Sequence, residues 1–292
     1  MLAEPTGDLI LLGENLDLLP RFADGTFQLI YIDPPFNTGR TRKRETLATT
    51  ADADGDRIGF GAKRYRTRIL AASSYSDSFD DYLAFLEPRL REGRRLLAAS
   101  GTLYFHIDYR EAHYCKLLLD EIFGRDCFLN EIVWAYDYGG RPKRRWPAKH
   151  DTILVYVKDR ARYYFDSEAV DREPYMAPGL AGPEKARRGK QPTDVWWHTI
   201  VSPTGKEKTG YPTQKPEALA RRAIQASTRP GDFCLDFFAG SGTVGAAARR
   251  SGRRYVLIDS NPEAVAVARR RLSALEDELA AASASTGRRG RR

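Results

Sequence analysis

The tetrapeptide Asp33-Pro34-Pro35-Phe36 combines residue types that are suited to holding a planar amine. It follows the apolar run 27–32, which is typical of a buried strand. Proline has no N–H to donate and holds φ at about −65°, so the carbonyl groups around it are fixed acceptors. The Asp33 carboxylate and the Pro34 carbonyl could both accept from one –NH2 group while the Phe36 ring stacks on the attached base. The pattern predicts a site for an exocyclic amine, although a proline-stiffened turn would use the same residues.

A second segment, near the other end of the chain, has the pattern of a nucleotide site. An apolar strand at 232–236 leads into the turn 237–243, and a helical pattern follows. Glycines in such a turn allow backbone angles and a close ligand approach that a Cβ would forbid, and the helix N-terminus offers free N–H groups. The next strand ends in Asp259, at a distance where ribose hydroxyls are typically bound. Because the turn runs straight into its helix behind an aromatic pair, an adenosine ligand without a pyrophosphate fits better than a dinucleotide.

A third segment, 211–219, lies between the other two in sequence and reads as a turn that runs into a helix. The three segments together resemble the motifs of the S-adenosylmethionine-dependent DNA amino-methyltransferases. Their order, with the amine motif first and the cofactor motif last, is similar to that of the permuted β group. This group includes modification subunits of type III restriction systems and several solitary or type II enzymes. The similarity runs over residues 8–272, with further matching segments at 11–15, 101–108, 128–134 and 150–156.

The resemblance implies an α/β, Rossmann-like methyltransferase fold with a mostly parallel seven-stranded sheet, helices on both faces and a circularly permuted motif order. It also implies S-adenosylmethionine as cofactor and S-adenosylhomocysteine as product. The four histidines show no H-E-x-x-H spacing, so no metal is expected. The residues expected to act on the amine are Asp33, Pro34, Pro35 and Phe36; phenylalanine replaces the commoner tyrosine, which keeps stacking but loses any hydroxyl contact. The residues expected to bind the cofactor are Phe237, Phe238, Ala239, Gly240, Ser241, Gly242, Thr243, Asp259, Thr213, Gln214 and Lys215.

Two of these cofactor assignments have plain structural alternatives. Lys215 is expected to pair with a carboxylate of the cofactor, but a solvated lysine at a helix start would look the same. Asp259 is expected to bind the ribose, but it could instead cap the end of its strand.

The reaction implied is direct in-line methyl transfer to an exocyclic nitrogen of a base flipped out of duplex DNA. Asp33 at the first motif position favours adenine N6 over cytosine N4, which is a tendency of the family without a strict physical basis. The cytosine-N4 enzyme is therefore the first alternative. More distant alternatives are an RNA or protein amine methyltransferase and a non-catalytic DNA-binding subunit. No cysteine lies in the Pro-Cys setting of a carbon-5 cytosine enzyme.

The charge of the chain suits a polyanionic partner. The net charge is +8, from 47 basic and 39 acidic residues. Basic residues cluster after the amine motif and again in the segment 137–149, and a third cluster lies at 185–190. A solvated loop would explain any one cluster, but several of them beside one amine motif favour phosphate contacts with double-stranded DNA. The residues expected to bind DNA are Arg40, Arg42, Lys43, Arg44, Arg141, Lys143, Arg144, Arg145 and Lys149.

Alternating patterns predict strands and helices in turn, hence a mostly parallel sheet covered on both faces. The predicted strands are 9–12, 28–32, 102–107, 128–134, 152–157, 233–236 and 255–258, and the main predicted helices are 80–99, 110–123, 216–227, 244–250 and 261–279. Ligands of such sheets bind beyond the carboxyl ends of the strands. The amine motif and the glycine turn can therefore share one site only if strands 28–32 and 233–236 are parallel neighbours.

The chain is expected to form a single methyltransferase domain over residues 1–279. Segments 39–78 and 137–202 are expected to be DNA-contacting insertions, the first a mobile loop, and 280–292 a disordered basic tail. No apolar run approaches the roughly 20 residues that span a bilayer, and no signal-peptide pattern is present, so a cytoplasmic protein of a bacterial or archaeal cell is expected. Three scattered cysteines suggest neither disulfides nor zinc. A homodimer and a cognate restriction endonuclease are possible partners.

Overall fold

A computed structural model describes residues 4–37, 40–51, 57–58, 64–77, 79, 81–202, 205 and 207–289, with the side chains of 40–77 and of residues beyond 282 left outside that description. The chain divides into two compact units. The first comprises Met1–Pro34 and Leu83–Arg292, and the second comprises Pro35–Tyr82.

The strands, in chain order, are β1 Leu9–Leu12, β2 Phe27–Ile32, β3 Arg40–Ala51, β4 Arg57–Ile58, β5 Arg64–Asp77, β6 Leu97–Ile107, β7 Phe128–Ala135, β8 His150–Val157, β9 Val195–Trp197, β10 Phe233–Asp236 and β11 Arg254–Asp259. The α-helices are α1 Asn15–Leu18, α2 Tyr82–Leu96, α3 Ala112–Phe123, α4 Pro178–Ala181, α5 Pro183–Arg188, α6 Glu217–Ser227, α7 Thr243–Arg250 and α8 Pro262–Arg289. Short 3₁₀ helices lie at Leu19–Arg21 and Arg125–Cys127.

The first unit contains a mixed sheet in the order β1-β11-β10-β2-β6-β8-β7-β9. Within it, β8 pairs antiparallel with both β6 and β7, and the other pairings are parallel. All seven predicted strands belong to this sheet, so the predicted fold class is confirmed. The sheet has eight strands where seven were expected, because β9 has only three residues and is too short for a periodic pattern.

The decisive topological prediction is confirmed, because β10 pairs in parallel with β2. Cys234 lies opposite Leu29, and Leu235 lies opposite Ile30. Two strands about two hundred positions apart in sequence are thus central neighbours, and the segments that follow them leave the sheet at the same edge.

Continuous apolar sequence explains why these central strands are buried on both faces. Every residue of β2 is buried, as are three of the four residues of β10. Helices α6 and α7 pack against each other, and Ala223, Ala246 and Ala247 are buried within the core cluster. Small side chains allow these helices to lie close to the sheet.

The second unit is a β-structure, whereas the sequence predicted a mobile loop over 39–78. Strands β3 and β5 pair antiparallel from Arg40 opposite Asp77 to Ala51 opposite Tyr65, with β4 beside β5. β3 is dominated by Arg and Thr, and β5 alternates arginine with Tyr, Thr and Ile only over residues 64–69 before a run of small residues, so the segment as a whole has few apolar residues to mark strands in the sequence. At the base of this unit the Asn37 side-chain oxygen accepts from the Phe79 N–H (3.1 Å), and the Tyr82 hydroxyl donates to the Pro35 carbonyl (2.5 Å).

The expected disordered tail is also different, because α8 continues to Arg289. The predicted tail begins with three alanines, Ala280 to Ala282, and alanine is the strongest helix former, which favours continuation of the helix into a segment poor in large apolar residues. Residues 290–292 of the predicted tail lie outside the described residues. Within 137–202 the structure has α4, α5 and β9, and Trp196 is buried while Trp197 is exposed. Among the residues described, none of the helices has the length and apolar character required to cross a membrane.

Candidate active site

Asp33 directly follows β2 at the carboxyl edge of the sheet and is paired with a lysine from a distant segment. The Lys215 ammonium lies 2.5 Å from the Asp33 Oδ2 atom, and both side chains are largely buried. The other carboxylate oxygen, Oδ1, is buried and accepts no hydrogen bond from the residues that the structure describes. A buried acceptor without a donor is costly, so this oxygen is suited to receive a donor from a ligand.

Lys215 also contacts the glycine turn. Its backbone carbonyl accepts a hydrogen bond from the Thr243 hydroxyl (3.3 Å), and Thr243 begins α7. A continuous series of contacts therefore leads from Asp33 through Lys215 to Thr243. Lys215 was expected to pair with a carboxylate of the cofactor; in the structure it pairs with the carboxylate of Asp33.

The turn between β10 and α7 requires glycine at two positions. Gly240 and Gly242 have φ values of 49° and 74°, in the left-handed region that favours glycine. A Cβ at Gly242 would lie 2.9 Å from the Ala268 Cβ on α8, so this glycine also permits close helix packing. A Cβ at Gly240 would lie 3.4 Å from the ring of Tyr211. The turn is thus held by α8 on one side and by the 211–219 segment on the other.

Two further carboxylates lie at the carboxyl ends of β10 and β11. Asp236 is buried, and burial raises its pKa well above the ordinary range; the charges of Asp33 and Asp259 act in the same direction. Burial also raises the pKa of Asp259, whose two oxygens accept from the backbone N–H groups of Gly240 (2.7 Å) and Asn261 (2.8 Å). Asp259 therefore has the cap contacts of the structural alternative, while its oxygens retain further acceptor positions.

Several residues that the sequence did not single out as site residues support the turn. The Asn15 amide donates to the Phe237 carbonyl (3.1 Å) and accepts from Arg89 Nε (2.8 Å). The Phe85 ring lies 6.1 Å from the ring of Phe238. On α8, the largely buried Arg271 donates to the Thr243 hydroxyl (3.0 Å), and it also forms an ion pair with Glu217 (3.4 Å). Asn15 and Glu217 had a sequence signal, because they lie in the segments 11–15 and 211–219 that match the family.

The predicted residues of the 211–219 segment differ in their surroundings. The Gln214 side chain stabilises the loop that precedes it. Its oxygen accepts from the Thr209 N–H and hydroxyl, both at 2.8 Å, and its amide donates to the Glu207 carbonyl (2.7 Å). Thr213 is exposed. Of the amine motif, Pro35 and Phe36 open the second unit, and Phe36 is half-buried.

A buried hydrogen-bonded series crosses the sheet just before Asp33. The Tyr31 hydroxyl lies 3.0 Å from His106 Nδ1, and His106 Nε2 lies 3.3 Å from Asp151 Oδ2. The other Asp151 oxygen accepts from the Tyr136 hydroxyl (3.0 Å). This series joins β2, β6 and β8 to the segment that follows β7, and the sequence contained no spacing that would have predicted it.

The basic residues expected to bind DNA are arranged in three ways. Arg40, Arg42, Lys43 and Arg44 lie on β3, and their side chains are outside the described part of the chain. Arg141 forms an ion pair with Asp137 (2.7 Å), Arg145 donates to the Tyr109 hydroxyl (3.2 Å), and Lys149 donates to the carbonyls of Tyr138 and Gly139 (both 2.7 Å). Lys143 and Arg144 are exposed and make no hydrogen bond or ion pair with any described residue. No group of three His, Cys, Asp or Glu residues in the described ranges is arranged to hold a metal ion.

Comparison with known protein families gives a match over most of the chain. A family model described as DNA methylase matches residues 27–270. Among characterised proteins, the chain is similar to the DNA adenine methyltransferase YhdJ of Escherichia coli, with 31% identity over 271 residues, covering 90% of this chain and 82% of the relative. It is also similar to the type II methyltransferase M.HpaI of Haemophilus parainfluenzae, with 29% identity over 90% of this chain and 73% of the relative.

Solved structures share the fold at lower sequence identity. The cytosine-N4-specific PvuII DNA methyltransferase matches with a TM-score of 0.63 and 16% identity, over 92% of this chain and 87% of that protein. The complex of M1.HpyAVI with SAM matches with a TM-score of 0.57 and 22% identity, over 90% of this chain and 98% of that protein.

Proposed function

Because this chain belongs to the DNA methylase family and is an S-adenosylmethionine-dependent DNA methyltransferase, we propose that it methylates adenine at N6 in duplex DNA. The observation that supports methyl transfer to an exocyclic amine is the contact series from Asp33 through Lys215 to Thr243. It brings the amine motif and the glycine turn, encoded at opposite ends of the chain, to one place at the carboxyl edge of the sheet.

The glycine turn fits the expected cofactor. Positive φ values at Gly240 and Gly242 and the absence of side chains there leave the backbone accessible, and the turn leads into the N-terminus of α7. The Asp259 carboxylate accepts from the Gly240 N–H of this turn, so an acidic group lies beside the site proposed for the cationic sulfonium ligand. S-adenosylmethionine supplies an activated methyl group from that sulfonium when it is bound.

We assign the cofactor contacts to two groups of residues. The turn from Phe237 to Thr243 would line the methionine and adenosine portions, and Asp259 would bind the ribose hydroxyls through acceptor positions that its backbone contacts leave open. On the other side, Tyr211 and Thr213 would close the cofactor pocket. Gln214 would stabilise the loop that carries them. Lys215 we assign to Asp33 rather than to the cofactor.

The amine would be held by Asp33 and Pro34. Asp33 Oδ1 is the buried acceptor without a donor in the described residues, and the Pro34 carbonyl is a second acceptor. An exocyclic amine is a poor nucleophile because its lone pair is delocalised into the ring. Two acceptors that bind both of its hydrogens would turn the nitrogen toward a pyramidal geometry and aim the lone pair out of the ring plane. Lys215 would keep the Asp33 carboxylate in the orientation that this requires. For Phe36, which belongs to the second unit, stacking on the flipped base stays the prediction from the sequence.

The choice of adenine over cytosine rests on residue type and on relatives. Aspartate at position 33 is typical of the N6 enzymes of the family, and the relative from Escherichia coli is named an adenine methyltransferase. The fold gives no preference, since the matched PvuII structure is a cytosine-N4 enzyme. Cytosine N4 is therefore the alternative that an experiment must separate.

The test is sequencing of DNA from cells that express the protein, using reads that detect N6-methyladenine and N4-methylcytosine separately. We expect N6-methyladenine at one sequence motif, and no such mark in cells that express Asp33→Ala. N4-methylcytosine would overturn the base assignment. Tritium transfer to duplex DNA, RNA and protein in parallel would expose a different substrate class, and cofactor binding without transfer to any of them would indicate a non-catalytic subunit.

Two protein partners are proposed as well, a second copy of the chain and a restriction endonuclease. We propose a homodimer, which light scattering of the purified chain would test, because the candidate DNA-contacting segments are short for a long recognition site. We also propose a cognate restriction endonuclease, supported by the type II names of relatives. Resistance of DNA from expressing cells to an endonuclease of the same specificity would test this. We propose that the protein acts in the cytoplasm of a bacterial or archaeal cell, which the bacterial origin of the named relatives supports.

A further inference from the structure

The segment 136–149 joins β7 to β8 and lies at the same edge of the sheet as Asp33. Strand β7 runs parallel to β6 and β2, because both β6 and β7 pair antiparallel with β8. The carboxyl end of β7 and the start of β8 therefore lie at the edge where β2 and β10 end. We call this segment the 136–149 loop.

The base of the 136–149 loop is tied to the strand that carries Asp33. Tyr136, its first residue, donates its hydroxyl to Asp151 on β8, and Asp151 is linked through the buried His106 to Tyr31, two residues before Asp33. The Tyr136 N–H also donates to the Lys149 carbonyl (2.9 Å), which closes the loop. Buried, fully connected polar groups hold their elements in one arrangement, so the loop starts from a fixed position relative to Asp33.

The loop is braced from within. The Lys149 ammonium donates to the carbonyls of Tyr138 and Gly139, and Arg141 forms an ion pair with Asp137. Arg145 donates to the Tyr109 hydroxyl, and Tyr109 precedes α3. These contacts use three of the five basic side chains of the loop for its own structure and leave Lys143 and Arg144 exposed.

Trp146 projects from this braced loop with 94% of its surface exposed. An indole is the largest apolar side chain, and tryptophan is highly buried on average in folded proteins. In the sequence it follows Arg144 and Arg145 and precedes Pro147, so cationic residues adjoin a hydrophobic plane along the chain. A plane that offers a stacking surface beside phosphate-binding charges is the combination that proteins use to hold unstacked nucleic-acid bases.

Resting on the proposed function, we propose that Trp146 is a positioning residue that inserts into the DNA base stack beside the target and occupies the space that the flipped base leaves. Lys143 and Arg144 bind the neighbouring phosphates, and Trp146 replaces the stacking that is lost when the base enters the Asp33 site. It touches neither the methyl donor nor the amine, and it acts by making the flipped state accessible.

The experiment compares Trp146→Ala, Trp146→Phe and Phe165→Ala on two synthetic duplexes that carry the motif found by sequencing. One duplex is fully paired, and in the other an abasic site faces the target base. Phe165 is the matched control because it is an exposed aromatic residue that follows β8, whose end lies at the opposite edge of the sheet. Cofactor affinity and thermal unfolding of each variant show that the fold is intact.

On the paired duplex we expect Trp146→Ala to lower the single-turnover rate by about tenfold to a hundredfold, the loss of one base–aromatic stack. On the abasic duplex, where flipping is already easy, the loss should largely disappear. Trp146→Phe should keep most of the activity, and Phe165→Ala all of it. With 2-aminopurine at the target position, DNA binding by the wild type should raise fluorescence, and binding by Trp146→Ala should not.

An unchanged rate for Trp146→Ala on the paired duplex would overturn the proposal, as would an equal loss on both duplexes, which would indicate a general DNA contact. A change from dimer to monomer in Trp146→Ala would assign the indole to a subunit interface instead. If the wild type transfers methyl to no DNA, the proposed function fails with it. If the wild type transfers methyl and Trp146→Ala does so equally well, only the role of Trp146 fails.

Discussion

The Lys215 ammonium lies 2.5 Å from the Asp33 carboxylate although 182 positions separate the two residues in sequence. The backbone carbonyl of the same lysine accepts from the Thr243 hydroxyl. One residue thus contacts both the carboxylate assigned to the amine and the helix start assigned to the cofactor. This geometry makes Lys215 the element that couples the two halves of the site.

Replacing Asp33 with alanine should remove methyl transfer while leaving cofactor binding nearly intact. Loss of one acceptor that stabilises developing charge typically lowers a rate by about a hundredfold to a thousandfold. Single-turnover tritium transfer and calorimetric cofactor titration would measure the two effects. Asp17→Ala, at an exposed site on α1, is the control and should transfer at the wild-type rate. Activity retained by Asp33→Ala would contradict the role assigned to this carboxylate.

Lys215→Met tests which carboxylate the lysine serves. Methionine keeps most of the apolar stem and removes the charge, so the Asp33 carboxylate loses its partner. We expect the transfer rate to fall by at least about tenfold, the cost of one lost charge-assisted hydrogen bond, with little change in cofactor affinity. Weakened cofactor binding at an unchanged rate would favour the expectation from sequence that Lys215 binds a carboxylate of the cofactor.

Gly242→Ala and Gly252→Ala form a matched pair. Both positions have positive φ, but a Cβ at Gly242 would lie 2.9 Å from the Ala268 Cβ, whereas a Cβ at Gly252 would meet nothing within 4 Å. Each variant should lose about 1 kcal/mol of unfolding free energy from backbone strain. Gly242→Ala should lose a further 1–3 kcal/mol, roughly, from overpacking, and should bind the cofactor less tightly. Urea unfolding would measure the difference in unfolding free energy between the two variants. Equal losses of unfolding free energy would mean that α8 shifts to accommodate the added Cβ without destabilising the fold.

Asp236→Asn should change how stability depends on pH. Burial raises the pKa of Asp236 from its ordinary value of 3.8, so the folded protein binds this proton more tightly than the unfolded chain does. The wild type therefore loses stability as the pH rises from about 3.8 to the raised pKa. The asparagine of the variant has no proton that titrates in this range, although its side-chain oxygen can still accept from the Phe238 N–H as the Asp236 Oδ1 atom does.

The stability of Asp236→Asn relative to the wild type should therefore increase across this interval, by about 1.4 kcal/mol for each unit by which the pKa is raised. Denaturant unfolding of the variant and the wild type over one pH series would measure this. A difference that stays constant with pH would show that Asp236 titrates alike in the folded and unfolded states.

In the 136–149 loop, basic side chains that are paired within the protein and basic side chains that are exposed should differ in their effect on DNA binding. Lys143 and Arg144 have no partner among the described residues, whereas Arg141 is paired with Asp137. Removing one phosphate contact should lower the slope of log K against log salt concentration by about 1. We expect this for Lys143→Ala and for Arg144→Ala, and a smaller change for Arg141→Ala. Fluorescence anisotropy over a salt series would measure the slopes, and three equal slopes would contradict the assignment.

By itself the sequence determined seven strands of the eight-stranded sheet and the class of reaction. Long apolar runs marked the buried strands, and the boundaries of β1 and β10 agree with the predicted ranges because turn residues and charges end both runs abruptly. Asp33 and the glycine turn were recognisable because each needs a local residue pattern: a carboxylate followed by prolines, and glycines at positive φ.

Only the tertiary structure decided which distant residues meet. The pairing of β10 with β2, the contact of Lys215 with Asp33, and the series from Tyr136 to Tyr31 join segments that no sequence period connects. The strands of 40–77 escaped prediction because the run is dominated by charged and small polar residues, and the final turns of α8 because their mixture of Ala, Ser, Gly and Arg resembles a linker in composition. Local patterns follow from backbone sterics and polarity, whereas side-chain partners follow from how buried faces pack, and that is settled only when the whole chain folds.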